Sequence, residues 1–433
     1  MKLTVKTFQK LAFALDFKPN FVPVPLSLKS FTDFGQDKCE SRSFKFLREE
    51  IPVRLSHIMR EFHDLPDSFS SRKSVQLVRG WYERSYEELQ RYEHQDTSDP
   101  KVLKQFLENI QAILNRHAKV VETMAQGVME MQETFNIDPK SSTELQYFLD
   151  RFYMNRISVR MLLTQHVELF SRDRRRKGGD HIGIIDPSCD VGQIVDIAYN
   201  NAKQLCEQQY LISPNMDLIL CNNSNENQSI QMVCVPTHLE YMVFELIKNA
   251  MRAVVEFHSK ETEVPNIKVI ISKGKEDITI KISDLGGGVP YSVTDILFQY
   301  HYTTAPRPQE NGPSPALAGY GYGLPLSRLY ARYFGGEISL SSVEGYGTDA
   351  FIYLKVNPED ANECLPVYNK TTSKMYDTNQ VVPDWSSPRP WNQSYRTFCT
   401  GTRFYHTSSW TQRLNTCKHK QTFTDRLQRE NSI

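Results

Sequence analysis

Glu245 and Asn249 stand four residues apart in HLEYMVFELIKNAMRAVVE, with Arg252 three residues further on, so the three side chains share one face of a helix formed there. A carboxamide offers Mg2+ a neutral oxygen, and Mg2+ takes few protein ligands, keeping its other positions for water and phosphate oxygens. A carboxylate beside it polarises an attacking hydroxyl. The same spacing also fits an ordinary amphipathic surface helix. Further along, Asp284 closes an alternation of Ile278, Ile280 and Ile282 and leads into Gly286, Gly287 and Gly288, where backbone turns tightly and approaches a ligand. A second glycine set, Gly319, Gly321 and Gly323 in AGYGYGLPLSRLYARYFGG, precedes a helix whose first N–H groups favour an anion. A third lies in EGYGTDAFIYL. Each alone reads as a turn.

These groups need a frame. Leu239, Val243, Leu246, Ala250 and Ala253 recur at three and four residues and predict the packing face of the same helix. Around it, a helix is expected over Val191 to Tyr210. Strands are expected near Met216 to Cys221, Ile230 to Val235, Asn266 to Ser272, Asp277 to Asp284, Glu337 to Ser342 and Thr348 to Leu354. That alternation gives an α/β sandwich with a mixed, mainly antiparallel sheet and helices on one face. Residues 297–324, rich in proline and glycine, are too long for a turn and read as a nucleotide lid. Before this region, helical patterns run roughly over Arg48 to His63, Ser74 to His94, Asp99 to Glu133 and Thr143 to Phe170, an antiparallel four-helix bundle. The fold class expected is α+β multidomain, the bundle first and the sandwich second.

Composition narrows the function. The 433 residues carry 51 basic and 51 acidic side chains, which offers no case for bulk nucleic-acid binding. No stretch approaches the ~18 apolar residues of a membrane span. The eight cysteines are scattered without a Cys-x-x-Cys pair, so free thiols in a reducing compartment are expected and any metal should be oxygen-bound. Residues 1–20, with Lys2, Lys6 and Lys10 and no acid before Asp16, read equally as a matrix-targeting segment and as an ordinary first helix. SRDRRRKGGD, residues 171–180, reads as a solvated linker, and residues 387–433 as a basic extension without periodicity.

In their order, ELIKNAMRA, DLGGG, GYGYGL and GTD resemble the nucleotide-binding boxes of the GHKL (Bergerat) superfamily. PLSLKSFTDFG, FLREEIPVRLSHIMREF, NRHAKVVETMAQGV, YFLDRFYMNRISVRMLLTQH and the Asp384-Trp385 pair are similar to the mitochondrial pyruvate and branched-chain 2-oxoacid dehydrogenase kinase family, over roughly residues 20–386. The resemblance implies ATP-dependent phosphorylation of serines on the α subunit of the pyruvate dehydrogenase component, in the mitochondrial matrix. ATP, Mg2+ and K+ near the nucleotide are the implied cofactors.

The resemblance also assigns roles. Glu245 is the general base, Asn249 the Mg2+ ligand, and Asp284 the acceptor for the adenine amino group, supported by Thr348. Lys248, Arg252, Thr303 and Thr304 lie near the phosphates; Gly286 and Gly288 shape the turn; Gly319, Tyr320, Gly321, Tyr322, Gly323 and Leu324 close over the nucleotide. Tyr82, Ser85, His117, Arg156 and Arg160 match a regulatory pocket for pyruvate-like carboxylates, where the arginine fork suits a carboxylate. Phe31, Phe34, Phe44 and Phe46 are assigned to a pocket for the lipoyl group and lipoyl domain of the dihydrolipoyl acetyltransferase core, although clustered phenylalanines also read as core. Asp384 and Trp385 mark a tail that crosses between subunits of a homodimer. The expected segments are 21–175 (helical, regulatory), 176–360 (catalytic) and 361–386 (tail).

Four positions depart from the family pattern: Leu114 stands where an arginine is common, Asn155 where a serine is, Tyr241 where many relatives have histidine, and Leu285 where a polar residue is usual. Three other readings stay open: a branched-chain 2-oxoacid dehydrogenase kinase, a weakly catalytic lipoyl-domain binding protein, and a protein-histidine kinase. For the last, His57, His63, His117 and His166 are the candidate acceptors, none in an acid-rich context.

Overall fold

Two periodicities, 3.6 and 2, divide the chain into a helical half and a mixed half. The computed structural model describes residues 22–136, 142–171, 181–222, 229–294, 296–304, 321–378 and 385–386. Residues 1–20, the basic stretch 387–433, Asp384, and all of the expected linker but Ser171 lie outside these, as do Gly319 and Tyr320.

The helical half comprises α1 (Leu28–Asp37), α2 (Glu40–Asp64), α3 (Lys73–Gln90), α4 (Pro100–Arg116), α5 (Val120–Phe135) and α6 (Thr143–Phe170). Helix α2 packs on α3 and α6, α3 on α5, and α4 on α6. Helix α6 buries nearly its whole circumference, from Leu145 to Phe170, and so is the central element of this half. The helix expected over Asp99 to Glu133 is two helices, broken at 117–119. At the break His117 leaves helical geometry, with its amide still bonded to Ile113 at 3.0 Å, and buries its ring against Tyr82. Burial of that one side chain outweighs continuation of the helix.

The mixed half begins with β1 (Asp186–Asp190), whose Asp190 caps α7 (Val191–Tyr210) by accepting from the amides of Gly192 and Gln193. Strands β2 (Met216–Asn222) and β3 (Gln231–Cys234) follow, then α8 (Pro236–Phe257), β4 (Ile267–Lys273) and β5 (Asp277–Ser283). After the lid come α9 (Gly323–Tyr333), β6 (Glu337–Val343), β7 (Gly347–Lys355) and α10 (Lys370–Thr378). The main sheet runs β2-β4-β5-β7-β6, parallel only at β2-β4. Strand β3 instead pairs with β1 in a separate two-stranded sheet. Val269, Ile271, Ile278, Ile280, Ile282 and Ile352 line one sheet face beneath the apolar sides of α7 and α8. On α8 Leu239, Val243, Leu246 and Ala250 are buried, the stripe legible in the sequence, and Pro236 sits in the first turn, where its missing N–H costs nothing.

Two buried ionic clusters join the halves. Arg54 on α2 donates to Glu50 at 2.8 Å and to Glu363 at 2.7 and 2.8 Å, while Glu363 also accepts from the Leu26 amide and from the Tyr333 hydroxyl on α9. Arg151 on α6 pairs with Glu61, which accepts from Tyr376 of α10 at 2.7 Å. Trp385 packs half-buried against the core of the helical half of its own chain. No helix among the described residues is long and apolar enough to cross a membrane.

Candidate functional site

Helix α8 carries the chemistry on the face opposite its apolar stripe. Glu245 is buried there, and Lys248, one turn on, donates to its Oε1 at 2.8 Å. The Lys248 ammonium also stands 5.2 Å from the centroid of the Phe244 ring. Asn249 is exposed, with its carboxamide on the same side. Arg252 completes the row: it donates to Glu256 at 2.9 Å and to the Thr304 hydroxyl at 3.0 Å, tying the near end of the lid to the helix. Thr303 is half-buried beside it in sequence.

The opposite wall is the turn after β5. Asp284 Oδ1 accepts from the amides of Gly286 at 2.9 Å and Thr348 at 3.2 Å, and the Asp284 amide donates to the Thr348 carbonyl at 2.9 Å. Burial pushes its carboxyl up to about 6, against those two amides, which favour the ionised form. Both of these bonds fall on the same oxygen, Oδ1. Gly286 presses on α8 so closely that a Cβ would come within 2.5 Å of Ala253 Cβ, which joins the turn to the catalytic helix. Gly288 has φ +63 and a Cβ there would overlap the Val343 carbonyl, so no other residue fits without strain. Leu285 is exposed, and its carbonyl contacts the His258 ring at 3.0 Å.

The third wall is the start of α9. A Cβ on Gly323 would overlap Glu245 Oε2, so the helix N-terminus and the carboxylate are in direct contact. Gly321, at φ +78, lies against the Tyr302 carbonyl. Tyr322 points elsewhere: its ring packs at 5.8 Å from Tyr153 of α6 and 5.2 Å from Tyr300, its hydroxyl meets His301 Nε2 at 2.7 Å, and burial pushes the phenol up. Leu324 joins the core beneath the helices. Thus Glu245, Lys248, Arg252, Asp284, Gly286, Gly288, Thr304, Gly323 and Thr348 are linked by direct contacts around one helix, whereas the Tyr322 ring packs against Tyr153 of the helical half.

Some supporting residues carried no sequence signal. Ser342 accepts from the Val289 amide at 2.8 Å and meets Thr348 Oγ1 at 3.0 Å, fixing Thr348 under Asp284. Gln146 and Asp150 of α6 hold Tyr300 by its amide and its hydroxyl, both at 2.9 Å. The Tyr241 ring, one turn before Glu245, packs at a tilt against Tyr330 with centroids 5.0 Å apart; burial first and the Glu245 charge second hold its phenol well above its ordinary range.

The helical half holds a second cluster. Tyr82 and His117 rings stack at 4.6 Å, and Ser85 Oγ donates to the Trp81 carbonyl at 2.7 Å while Arg116 Nη1 donates to Ser85 Oγ at 2.7 Å. His117 Nε2, 3.0 Å from that oxygen, is then a donor, which fixes its tautomer. Burial lowers His117 to about 4, so it is neutral. Tyr82 Oη, Arg156 Nε and Arg160 Nη1 are buried with no hydrogen-bond partner among the described residues. Burial, then the Arg156 charge, lowers Arg160. Two of these three orphaned groups are cationic donors, the chemistry that suits a small anion. Leu114 is buried, and Asn155 donates to the Arg54 carbonyl at 2.7 Å.

The four phenylalanines differ in burial. Phe31 packs edge-on against Phe334 and Phe44 against Phe106 and Tyr92, both buried, while Phe34 and Phe46 are half-buried. Of the histidines, His57 accepts from the Tyr368 amide at 3.0 Å and His166 meets Ser43 at 2.7 Å, both buried. Neither offers a nitrogen to solvent. Among the described residues no group of three or more His, Cys, Asp or Glu side chains is arranged to hold a metal.

Two family models match the chain: one described as mitochondrial branched-chain alpha-ketoacid dehydrogenase kinase over residues 25–186, and one as histidine kinase-, DNA gyrase B- and HSP90-like ATPase over 234–358. Among similar proteins, the mouse [pyruvate dehydrogenase (acetyl-transferring)] kinase isozyme 3, mitochondrial, is 53% identical over 371 residues, 85% of this chain and 89% of its own length. The Drosophila melanogaster [pyruvate dehydrogenase (acetyl-transferring)] kinase, mitochondrial, is 51% identical over 383 residues, covering 87% of this chain and 92% of its own length. Human isozyme 1 is 50% identical over 380 residues, covering 86% and 87%.

Proposed function

We infer that this chain, which belongs to the mitochondrial pyruvate and branched-chain 2-oxoacid dehydrogenase kinase family, is a mitochondrial ATP-dependent kinase that phosphorylates serines of the pyruvate dehydrogenase α subunit. Its action restrains conversion of pyruvate to acetyl-CoA, and its compartment is the matrix. The observation that carries the reading is one helix face, where Glu245 and Lys248 form a buried pair 2.8 Å apart and Arg252 reaches the lid.

Adenine is read by the free oxygen of Asp284, which accepts from its amino group while the glycine turn lets the ring approach. Lys248 and Arg252 neutralise phosphate oxygens, and the first turn of α9 supplies N–H donors. The exposed Asn249 carboxamide suits Mg2+, which needs few protein ligands, and bound there the ion would offset charge on the phosphates. In the transfer the serine oxygen attacks the γ-phosphorus, that bond forms as the bond to the β,γ-bridging oxygen breaks, ADP leaves, and Glu245 takes the hydroxyl proton. Lys248 holds the carboxylate before substrate binds and turns to the phosphates afterwards. Positioning and charge neutralisation supply most of the rate.

The orphaned donors of Tyr82, Arg156 and Arg160 support a regulatory site for pyruvate or dichloroacetate. Docking on a lipoyl domain and homodimer formation through the Asp384-Trp385 tail are carried with the family. K+ dependence is tested by exchanging K+ for Na+ during ATP binding.

The branched-chain reading is favoured by one family model's description, so both dehydrogenase components are offered to the enzyme with Mg-ATP. Acid-stable phosphoserine forming faster on the pyruvate component is expected. Acid-labile phosphate on the kinase itself would instead indicate a histidine kinase, and faster labelling of the branched-chain component the other substrate.

A further inference from the structure

Helices α7 and α8 lie side by side over the sheet, and a groove of about 630 Å³ opens between them. Leu205, Tyr241 and Phe244 give it apolar walls, while Asn201, Gln204 and Gln208 line its α7 side with carboxamides. Its Phe244 end runs into the catalytic face. The Lys248 ammonium is 5.2 Å from the Phe244 centroid and 2.8 Å from Glu245, and Tyr241 is one turn before that carboxylate.

The lining selects the occupant. No lysine or arginine is among the lining residues, and the ionic group present is Glu240, whose carboxylate already accepts from Asn201 Nδ2 at 3.1 Å. A phosphate or a second nucleotide is therefore disfavoured. Carboxamides both donate and accept, matching the N–H and C=O of an extended peptide, and the aromatic walls suit its apolar side chains.

We propose that this groove holds the acceptor polypeptide, its main chain bonded to Gln204 and Gln208 and its serine delivered past Phe244 to Glu245. The inference rests on the phosphotransfer reading and names its protein-substrate subsite. A second nucleotide is the occupant the lining disfavours.

The test compares the full-length chain with Gln204→Ala/Gln208→Ala, using the isolated acceptor dehydrogenase component so that no lipoyl tether masks weak docking. Loss of two side-chain hydrogen bonds should raise KM for the acceptor roughly tenfold, leaving kcat and Mg-ATP affinity unchanged. A photo-crosslinking benzoylphenylalanine at Gln204 should attach to the serine-bearing segment of the acceptor. Unchanged KM with no crosslink to that segment, or an equal loss of ATP affinity, would overturn the groove assignment while leaving the kinase intact. Failure of the unaltered chain to transfer phosphate is a separate result, which would remove the phosphotransfer reading and this subsite together.

Discussion

Gly323 and Glu245 meet so closely that any β-carbon on the glycine would occupy the space of the carboxylate oxygen Oε2. The first residue of α9 is thus the wall against which the carboxylate proposed as base is set. A Gly323→Ala change should push a flexible side chain aside rather than unfold the domain. We expect kcat to fall by roughly 10- to 100-fold, a large part of what a positioned base contributes, with thermal stability changed by less than about 2 kcal/mol. Steady-state kinetics beside a melting curve checks both.

Asp284 is ionised only above about pH 6, because burial opposes its charge. In the proposed role the ionised carboxylate accepts from the adenine amino group, so ATP affinity should weaken as pH falls through 6. Asp284→Asn would oppose an amide donor to the adenine amino group and cost about 2–3 kcal/mol, near a hundredfold in Kd.

The same shift sets a stability profile without ligand. With the folded pKa raised from 3.8 to about 6, the folded state binds the extra proton between those values, so this group's stabilisation is complete below about pH 4 and lost as pH rises through 6. Relative to Asp284→Asn, the native chain should lose up to about 3 kcal/mol across that window. Denaturant melts at pH 4 and pH 7 measure it; a difference that grows in the acid direction contradicts the assignment.

The orphaned donors on Tyr82, Arg156 and Arg160 should bind dichloroacetate or pyruvate. Millimolar ligand is expected to slow the kinase and raise the melting temperature, and Arg160→Gln should weaken that response about 10- to 100-fold while sparing ATP binding. Leu114→Arg, adding a third guanidinium, should strengthen it. A kinase rate unmoved by millimolar dichloroacetate would count against the pocket.

Arg54 sits fully buried between Glu50 and Glu363. Replacing it by methionine leaves two uncompensated carboxylates and should cost about 3–5 kcal/mol. Glu363 also anchors Tyr333 of the lid-following helix, so ATP affinity should fall in the same variant.

Most of the frame was legible because packing follows period. The stripe from Leu239 to Ala250 and the isoleucine alternation of β5 specify which side each element buries, and the glycines mark where backbone passes too close to a neighbour for a Cβ. The break at His117 was not legible, since the cause is a ring stacking on Tyr82 from another helix. The pairing of β3 with β1 rather than with the main sheet, and Ser342 under Thr348, likewise depend on contacts between distant segments. Tyr322 shows the converse: its place in a glycine box suggested a nucleotide contact, but its ring is drawn into the aromatic packing of Tyr153 and Tyr300.

The most direct measurement is transfer of labelled γ-phosphate from Mg-ATP to the purified pyruvate dehydrogenase component, by the native chain and by Glu245→Ala. We predict acid-stable serine labelling that the variant loses by about 10²- to 10⁴-fold in rate, with ATP binding retained. Tight ATP binding without labelling by the native chain, or full labelling by Glu245→Ala, would contradict the account.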